Sequence, residues 1–236
     1  MDFTPRKKKR TPRADPPLLQ FDETTKDHGE VRAVGPVSFD VGAGQLVALI
    51  GHNGSGKSTL LATAAGILDP TEGAVRISGE EAGSTAARAA VSYIRDHPVL
   101  YEDLSLREHL EYLTRLHGST PEQHDAERLI EELGLTGRED DLPSTFSRGL
   151  RQKTAIVVAL CRPFALLLVD EPFSGLDHAG RLALLRLIRV VTDQKGSVIV
   201  ATHDMEALDH FDRAVMLSDG DLVFDGPPAE VPVAIR

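Results

Sequence analysis

Apolar positions along the chain fall first into short strand-length runs and later into helical spacing. Residues 18–21, 31–34 and 37–41 predict short strands, with a turn at Gly42-Ala43-Gly44. Leu46-Val47-Ala48-Leu49-Ile50 is unbroken, the pattern of a strand covered on both faces. A glycine-rich loop follows at 51–56, then a helix from Lys57 to about Ala65. Asp69-Pro70-Thr71-Glu72-Gly73 turns the chain into a strand at 74–78. From Ser105 the period becomes helical. Ser105-Leu106-Arg107-Glu108 has capping-box spacing, and Leu106, Leu110, Leu113 and Leu116 share one face. Thr120-Pro121-Glu122-Gln123 repeats the signal, with proline at the first helical position, ahead of Leu129, Ile130 and Leu133. The two predict a small helical subdomain over about 97–147. Strand runs return at 164–169 and 198–202, among helices over about 147–160, 179–191 and 205–209. Residues 214–217 and 222–224, around Ser218-Asp219-Gly220-Asp221, read as a terminal hairpin. Strands alternating with helices predict an α/β fold with a mostly parallel sheet and crossover helices.

At 236 residues and 41% hydrophobic, the chain can bury a core, which excludes disorder throughout. The single cysteine, Cys161, excludes a disulfide scaffold and a cysteine zinc cluster. It fits a reducing, cytoplasmic compartment and reads as a small buried hydrophobe. Net charge is −10, unevenly spread: residues 1–13 set six basic side chains against Asp2, a net +5, leaving −15 on the rest. So acidic a body opposes nucleic-acid binding over most of its surface. No run approaches the roughly 20 apolar residues of a membrane span; the longest, 154–169, is broken by Arg162-Pro163. The basic start has no apolar stretch behind it, so it is not a secretory signal, and a soluble protein is expected. Residues 1–17, basic and rich in proline, describe a disordered arm ahead of one domain at 18–236. The arm reads as a solvated tail, as a contact for anionic lipid, or, more weakly, as a nuclear-targeting signal.

Two segments carry chemistry. Gly51-His52-Asn53-Gly54-Ser55-Gly56-Lys57-Ser58, followed by Thr59, matches G-x-x-x-x-G-K-[ST] between a predicted strand and a helix. Its glycines let backbone N–H groups turn inward around phosphate oxygens, and the helix start adds a positive end. Lys57 can then neutralise β/γ-phosphate charge, and Ser58 can offer its hydroxyl to Mg²⁺. In Phe164-Ala165-Leu166-Leu167-Leu168-Val169-Asp170-Glu171, a buried strand ends in two acids where the carboxyl ends of a sheet meet ligand. Asp170 suits Mg²⁺, directly or through water, and Glu171 suits a general base aimed at the attacking water.

With these motifs the chain resembles the nucleotide-binding subunit of an ABC transporter over about 18–230. Phe146-Ser147-Arg148-Gly149-Leu150-Arg151-Gln152-Lys153 resembles the family signature L-S-G-G-Q, in the variant S-R-G, 23 residues before Asp170. The resemblance implies a P-loop fold of ABC type with an antiparallel β subdomain. It further implies that Ser147 and the Gly149 backbone face the γ-phosphate held by a second subunit, Arg148 adding positive charge. Ser174-Gly175-Leu176-Asp177 resembles the loop that communicates between the two sites, so Asp177 joins the candidate set. Val198-Ile199-Val200-Ala201-Thr202-His203-Asp204 resembles the switch strand, whose His203 would hydrogen-bond the γ-phosphate and keep Glu171 and water aligned. The other histidines read as surface or packing residues. Two positions depart from the family: His28 stands where an aromatic stacks on adenine, and Asp96 where a glutamine links γ-phosphate, Mg²⁺ and the membrane partner. Asp96 would reach Mg²⁺ through water, with His97 beside it able to share the role.

The resemblance implies an ATPase that dimerises with a second nucleotide-binding subunit, the same or a different chain, with two Mg·ATP held between them, located at the cytoplasmic face of the membrane. Separate transmembrane permease subunits would dock near residues 96–107. Ser147-Arg148-Gly149, the stretch from Asp170 to Asp177 and His97-Pro98-Val99-Leu100-Tyr101 look closest to exporter ATPases, most of all the haem exporters of cytochrome c maturation. A soluble ABC-type clamp on nucleic acid, ribosome or an assembly scaffold is the other reading. It is opposed by the acidic body and by the lack of a long coiled coil or second cassette.

Overall fold

The computed structural model describes residues 16–232, so most of the expected basic arm and the last four residues lie outside the described residues. β1 (Leu19–His28) and β2 (Val31–Val41) pair antiparallel, Leu19 opposite Val41 and Phe21 opposite Phe39. The sequence divides the second stretch into strands at 31–34 and 37–41; the structure runs it through Gly35-Pro36 as one. Irregular register on β1 around Thr24 and Lys26 absorbs the proline, which has no N–H for the ladder. β3 (Leu46–Ile50) feeds α1 (Lys57–Ala64), and β4 (Glu72–Ile77) returns to the free side of β1 with the two-residue β5 (Glu80–Glu81). These build an antiparallel sheet in the order β2-β1-β4-β5.

α2 (Thr85–Ala90) and β6 (Val91–Ile94) come next, and the hydrophobic pattern predicts neither. Thr-Ala-Ala-Arg-Ala-Ala has no large apolar side chain to mark a face, and four residues are too few to establish alternation. Tertiary bonds hold the helix instead: Ser84 caps it, and Arg162 donates to the Arg88, Ala89 and Val91 carbonyls at its other end.

α3 (Leu106–Leu116) opens with the expected reciprocal box between Ser105 and Glu108. The second expected helix is broken in two. A 3₁₀ turn at Pro121–His124 ends at Asp125, whose φ is 50°, and α4 (Ala126–Glu132) starts afresh. Aspartate tolerates that left-handed conformation, and the break turns Ala126, Leu129 and Ile130 into the core. α5 (Arg148–Leu160), β7 (Leu166–Asp170), α6 (His178–Asp193) and β8 (Ser197–Thr202) follow. The short helix expected at 205–209 is a 3₁₀ turn, Met205–His210, and β9 (Arg213–Ser218) and β10 (Asp221–Gly226) form the hairpin.

The second sheet has the order β10-β9-β3-β8-β7-β6 and is parallel except for β10. Alternate residues of β3 explain its unbroken apolar run. Leu46, Ala48 and Ile50 join a core with α3 to α6, while Val47 and Leu49 pack toward α1 and the antiparallel sheet. Cys161 lies in the first of these cores, and burial pushes its thiol up to about 12, as suits a packing residue. Among the described residues no helix is long and apolar enough to cross a membrane. Register matters most for function: Ile50 pairs with Thr202 and Asp170 with Ala201, so the loops leaving β3, β7 and β8 emerge side by side.

Candidate functional site

The first of those loops leads into α1, a helix with no side-chain cap and no acid in its first turn. Its leading N–H groups therefore remain available to an outside anion. Gly56 makes the turn with φ 101°, and a Cβ there would lie 2.6 Å from the Ala33 carbonyl oxygen. No other residue fits that approach. Lys57 is almost fully buried; its ammonium donates to the Gly51 and His52 carbonyls at 2.8 and 3.2 Å. Ser55 Oγ is buried without a hydrogen-bond partner. His52, Asn53, Gly54 and Ser58 are exposed around the loop, and Thr59 is half-buried in the helix.

At the end of β7, Asp170 is 3% exposed and its Oδ1 has no hydrogen-bond partner. Burial raises its carboxyl above the usual carboxylate range; a hydrogen bond from Ser58 opposes the rise, and the charges of Glu171 and Asp96 add to it. Glu171 adopts φ 45°, a left-handed conformation rare for a residue with a side chain, and its N–H donates to the Ala201 carbonyl. This places Oε1 3.4 Å from Lys57 Nζ, an ion pair without hydrogen-bond geometry, and Oε2 2.8 Å from His203 Nδ1. Lys57, Ser58, Asp170, Glu171 and His203 are thus gathered at one end of the sheet.

The acids there exceed the cations, and Asp170 Oδ1 and Glu171 Oε1 are buried without hydrogen-bond partners. That is the chemistry of a site short of positive charge. Among the described residues no three His, Cys, Asp or Glu side chains group as a full metal cage. A hydroxyl and one or two carboxylates instead suit Mg²⁺, which keeps waters and takes phosphate oxygens for its remaining positions. The residues present fit that ion.

The signature-like segment forms a second group. Ser147 caps α5, accepting from Leu150 N at 3.3 Å, and is exposed. Gly149 packs so close to the next loop that a Cβ would meet the Gly175 carbonyl at 2.9 Å. Asp177 caps α6 through Gly180 N at 3.0 Å and pairs with Lys153 of α5 at 3.1 Å; those two bonds hold its carboxyl below the usual range. One of the departures from the family pattern, Asp96, meets the signature variant here: Arg148 Nη2 stands 3.7 Å from Asp96 Oδ1 and donates to Ser174 Oγ at 3.1 Å. Asp96 Oδ2 is 3.0 Å from His97 Nδ1. The resemblance directs Arg148 to a neighbouring subunit and Asp96 to a cation; within this chain the two form a partly exposed ion pair. His28 lies exposed at the β1–β2 turn, opposite Val31, outside the contacts that assemble either group.

Sequence reasoning overlooked Tyr93, Lys153 and Arg181. Burial, and then the charge of Asp170, raises the Tyr93 hydroxyl above its ordinary range, so the phenol stays neutral beside that carboxylate. Tyr93 sits three residues before Asp96, and the parallel β6–β7 pairing was the missing signal.

A family model described as ABC transporter matches residues 34–174. The sulfate/thiosulfate import ATP-binding protein CysA of Synechococcus elongatus is 35% identical over 218 residues, covering 90% of this chain. The chain spans 63% of that relative's length. The SkfA peptide export ATP-binding protein SkfE of Bacillus subtilis is 30% identical, with 88% of each chain covered. A solved ATP-binding subunit of an ABC transporter superposes with a TM-score of 0.84 at 33% identity, covering 89% of this chain and 90% of its own.

Proposed function

This chain belongs to the ABC transporter family, and on that premise we propose that it is an ATP-hydrolysing subunit working as a dimer to drive separate membrane subunits. One observation carries the reading: Glu171 is held between His203 and Lys57 at the mouth of an uncapped helix. The Glu171 carboxylate has no proton to give, so His203 Nδ1 carries the hydrogen and donates it to Oε2. That bond fixes Oε2 and leaves Oε1 to accept a proton from a water attacking the γ-phosphate. Phosphate oxygens compete with Glu171 for the Lys57 ammonium, so arrival of the nucleotide frees the base that the ion pair now occupies. Loop and helix N–H groups hold the phosphates, and Ser58 and Asp170 would hold Mg²⁺, which would supply positive charge to offset the negative charge developing on the phosphate oxygens. Ser147 and Gly149, with Asp177 behind them, serve the site of the opposing copy.

The membrane partner docks where apolar side chains are left in solvent beside residues 96–107. Val99, Tyr101, Tyr112 and Leu116 are all exposed, and the Tyr101 and Tyr112 rings meet edge to face at 5.7 Å. The direction is export, on the motif strings shared with exporter ATPases, and the cargo is haem-like. His28 meets adenine as the smaller stacking ring. The test of the hydrolytic reading is Glu171→Gln: ATP binding persists while turnover falls at least a hundredfold, roughly what a general base supplies. Turnover at the normal rate would contradict it. For transport, the chain should co-purify with a membrane protein in mild detergent; its purification without one would remove that support.

A further inference from the structure

Arg181 lies on α6 one turn after Asp177, and the proposed chemistry makes no use of it. Its guanidinium bonds to Asp204 Oδ2 and stands 5.4 Å from the centroid of the Phe173 ring. Asp204 directly follows His203 and is itself fixed: its N–H donates to Thr202 Oγ1 at 2.9 Å, and its Oδ1 accepts from Glu206 N at 3.0 Å. Phe173 is buried in the 3₁₀ turn that Glu171 opens. One side chain therefore touches both loops that carry the Glu171–His203 pair, from a helix belonging to neither. The pair itself is weakly protected, since the His203 side chain is 59% exposed. What holds its loop to the loop of Glu171 matters accordingly.

We propose that Arg181 is a positioning residue for hydrolysis. It clamps the loop after β8 to the loop after β7, so that His203 Nδ1 and Glu171 Oε2 keep their 2.8 Å separation. Because Asp177, four residues earlier on the same helix, is paired with Lys153 of α5, the clamp also ties the catalytic pair to the helix opened by Ser147. A cation is required on the Asp204 side and a flat one on the Phe173 side, and guanidinium meets both demands. The proposal rests on the hydrolytic reading above.

Steady-state ATPase assays on the full chain, with and without its membrane partner, test it in Arg181→Ala, Arg181→Lys, Asp204→Asn and the Ala/Asn double variant. Misplacing a reactive group by about 1 Å can cost a hundredfold, so a loosened pair should cost about tenfold in kcat. KM for ATP should stay within about twofold, because the clamp touches no phosphate-binding group. Arg181→Lys should recover part of the loss by keeping the charge on Asp204. The double variant should be no slower than the slower single one, as members of one clamp require. The proposal is overturned by a kcat for Arg181→Ala within twofold of normal while Glu171→Gln is inactive. It is equally overturned by a matching rise in KM, or by losses that multiply in the double variant. If Arg181→Ala fails to fold, Arg181→Lys and Asp204→Asn decide by the same kcat–KM split. Normal turnover by Glu171→Gln overturns both this proposal and the reading beneath it.

Discussion

The helical stretch from Ser105 to Asp141 and the loops leaving β3, β7 and β8 differ in how far their polar groups are satisfied. In the helical stretch most polar needs are met within the stretch; the exceptions are the uncapped start of α4 at left-handed Asp125 and the buried, unpartnered His124 Nε2. Ser105 and Glu108 close a capping box, Thr120 and Gln123 another, and Arg107–Asp140, Arg128–Glu132 and Arg138–Asp141 pair on the surface. At the loop end the same needs are left unmet. α1 has no cap, Glu171 holds a strained backbone, and Ser55 Oγ, Asp170 Oδ1 and Glu171 Oε1 are buried without hydrogen-bond partners. Sequences that fold are consistent from level to level, and the places that break consistency are where function is expected. It is the concentration of unmet groups in neighbouring loops, three buried oxygens beside an uncapped helix, that marks the site before any likeness to another protein is considered.

Changes at the two ends should therefore fail differently. Leu133→Ala removes a fully buried side chain from the helical core and should cost about 2–5 kcal/mol of stability. Denaturant unfolding measures it, and ATP affinity at low temperature should barely change. Lys57→Ala reverses the pattern. It removes the ammonium facing Glu171 and the phosphates, and should weaken ATP binding by about a hundredfold, the weight of a charged hydrogen bond of up to about 3 kcal/mol. Calorimetric titration reads that loss directly. Ser105→Ala, which opens one capping box, should cost about 1 kcal/mol and leave turnover unchanged.

The smallest shift has the opposite sign. Burial raises the Asp170 carboxyl above its ordinary 3.8, so the folded state holds that proton more tightly than the unfolded chain does. Stability is then lost as pH rises from 3.8 through the raised value, and at neutral pH the buried charge is a net cost. Asp170→Asn should melt at a higher temperature than the normal protein without nucleotide, lose the gain that Mg·ATP gives, and flatten the acid side of the stability–pH curve. A lower melting temperature would show that Asp170 serves the fold.

Legibility in the sequence follows the same division. Where period and caps act over a few residues, the chain announces its structure: β3, β7 and β8 are continuous apolar runs, and α3 and α5 begin at Ser105 and Ser147, while α6 starts one residue before the expected 179, capped by Asp177. The phosphate loop was equally plain, because glycine spacing and a lysine are local facts. What escaped depends on distant partners. α2 has no face until Arg162, more than seventy residues on, bonds its end. β2 reads as two strands until β1 shifts register beside Pro36. Asp96 reads as a departure at one motif and Arg148 as part of the signature variant, and only folding makes them a pair. Arg181 and Asp204 lie 23 residues apart on a helix and a loop, with no periodicity to connect them.

The central claim is that Glu171, held by His203 and released from Lys57 by phosphate, cleaves the nucleotide that joins two copies of the chain. Sedimentation velocity of Glu171→Gln with saturating Mg·ATP tests it most directly. A stable dimer that returns to monomer when ATP is replaced by ADP is the expected result; a monomer throughout, with the membrane partner present or absent, would contradict it.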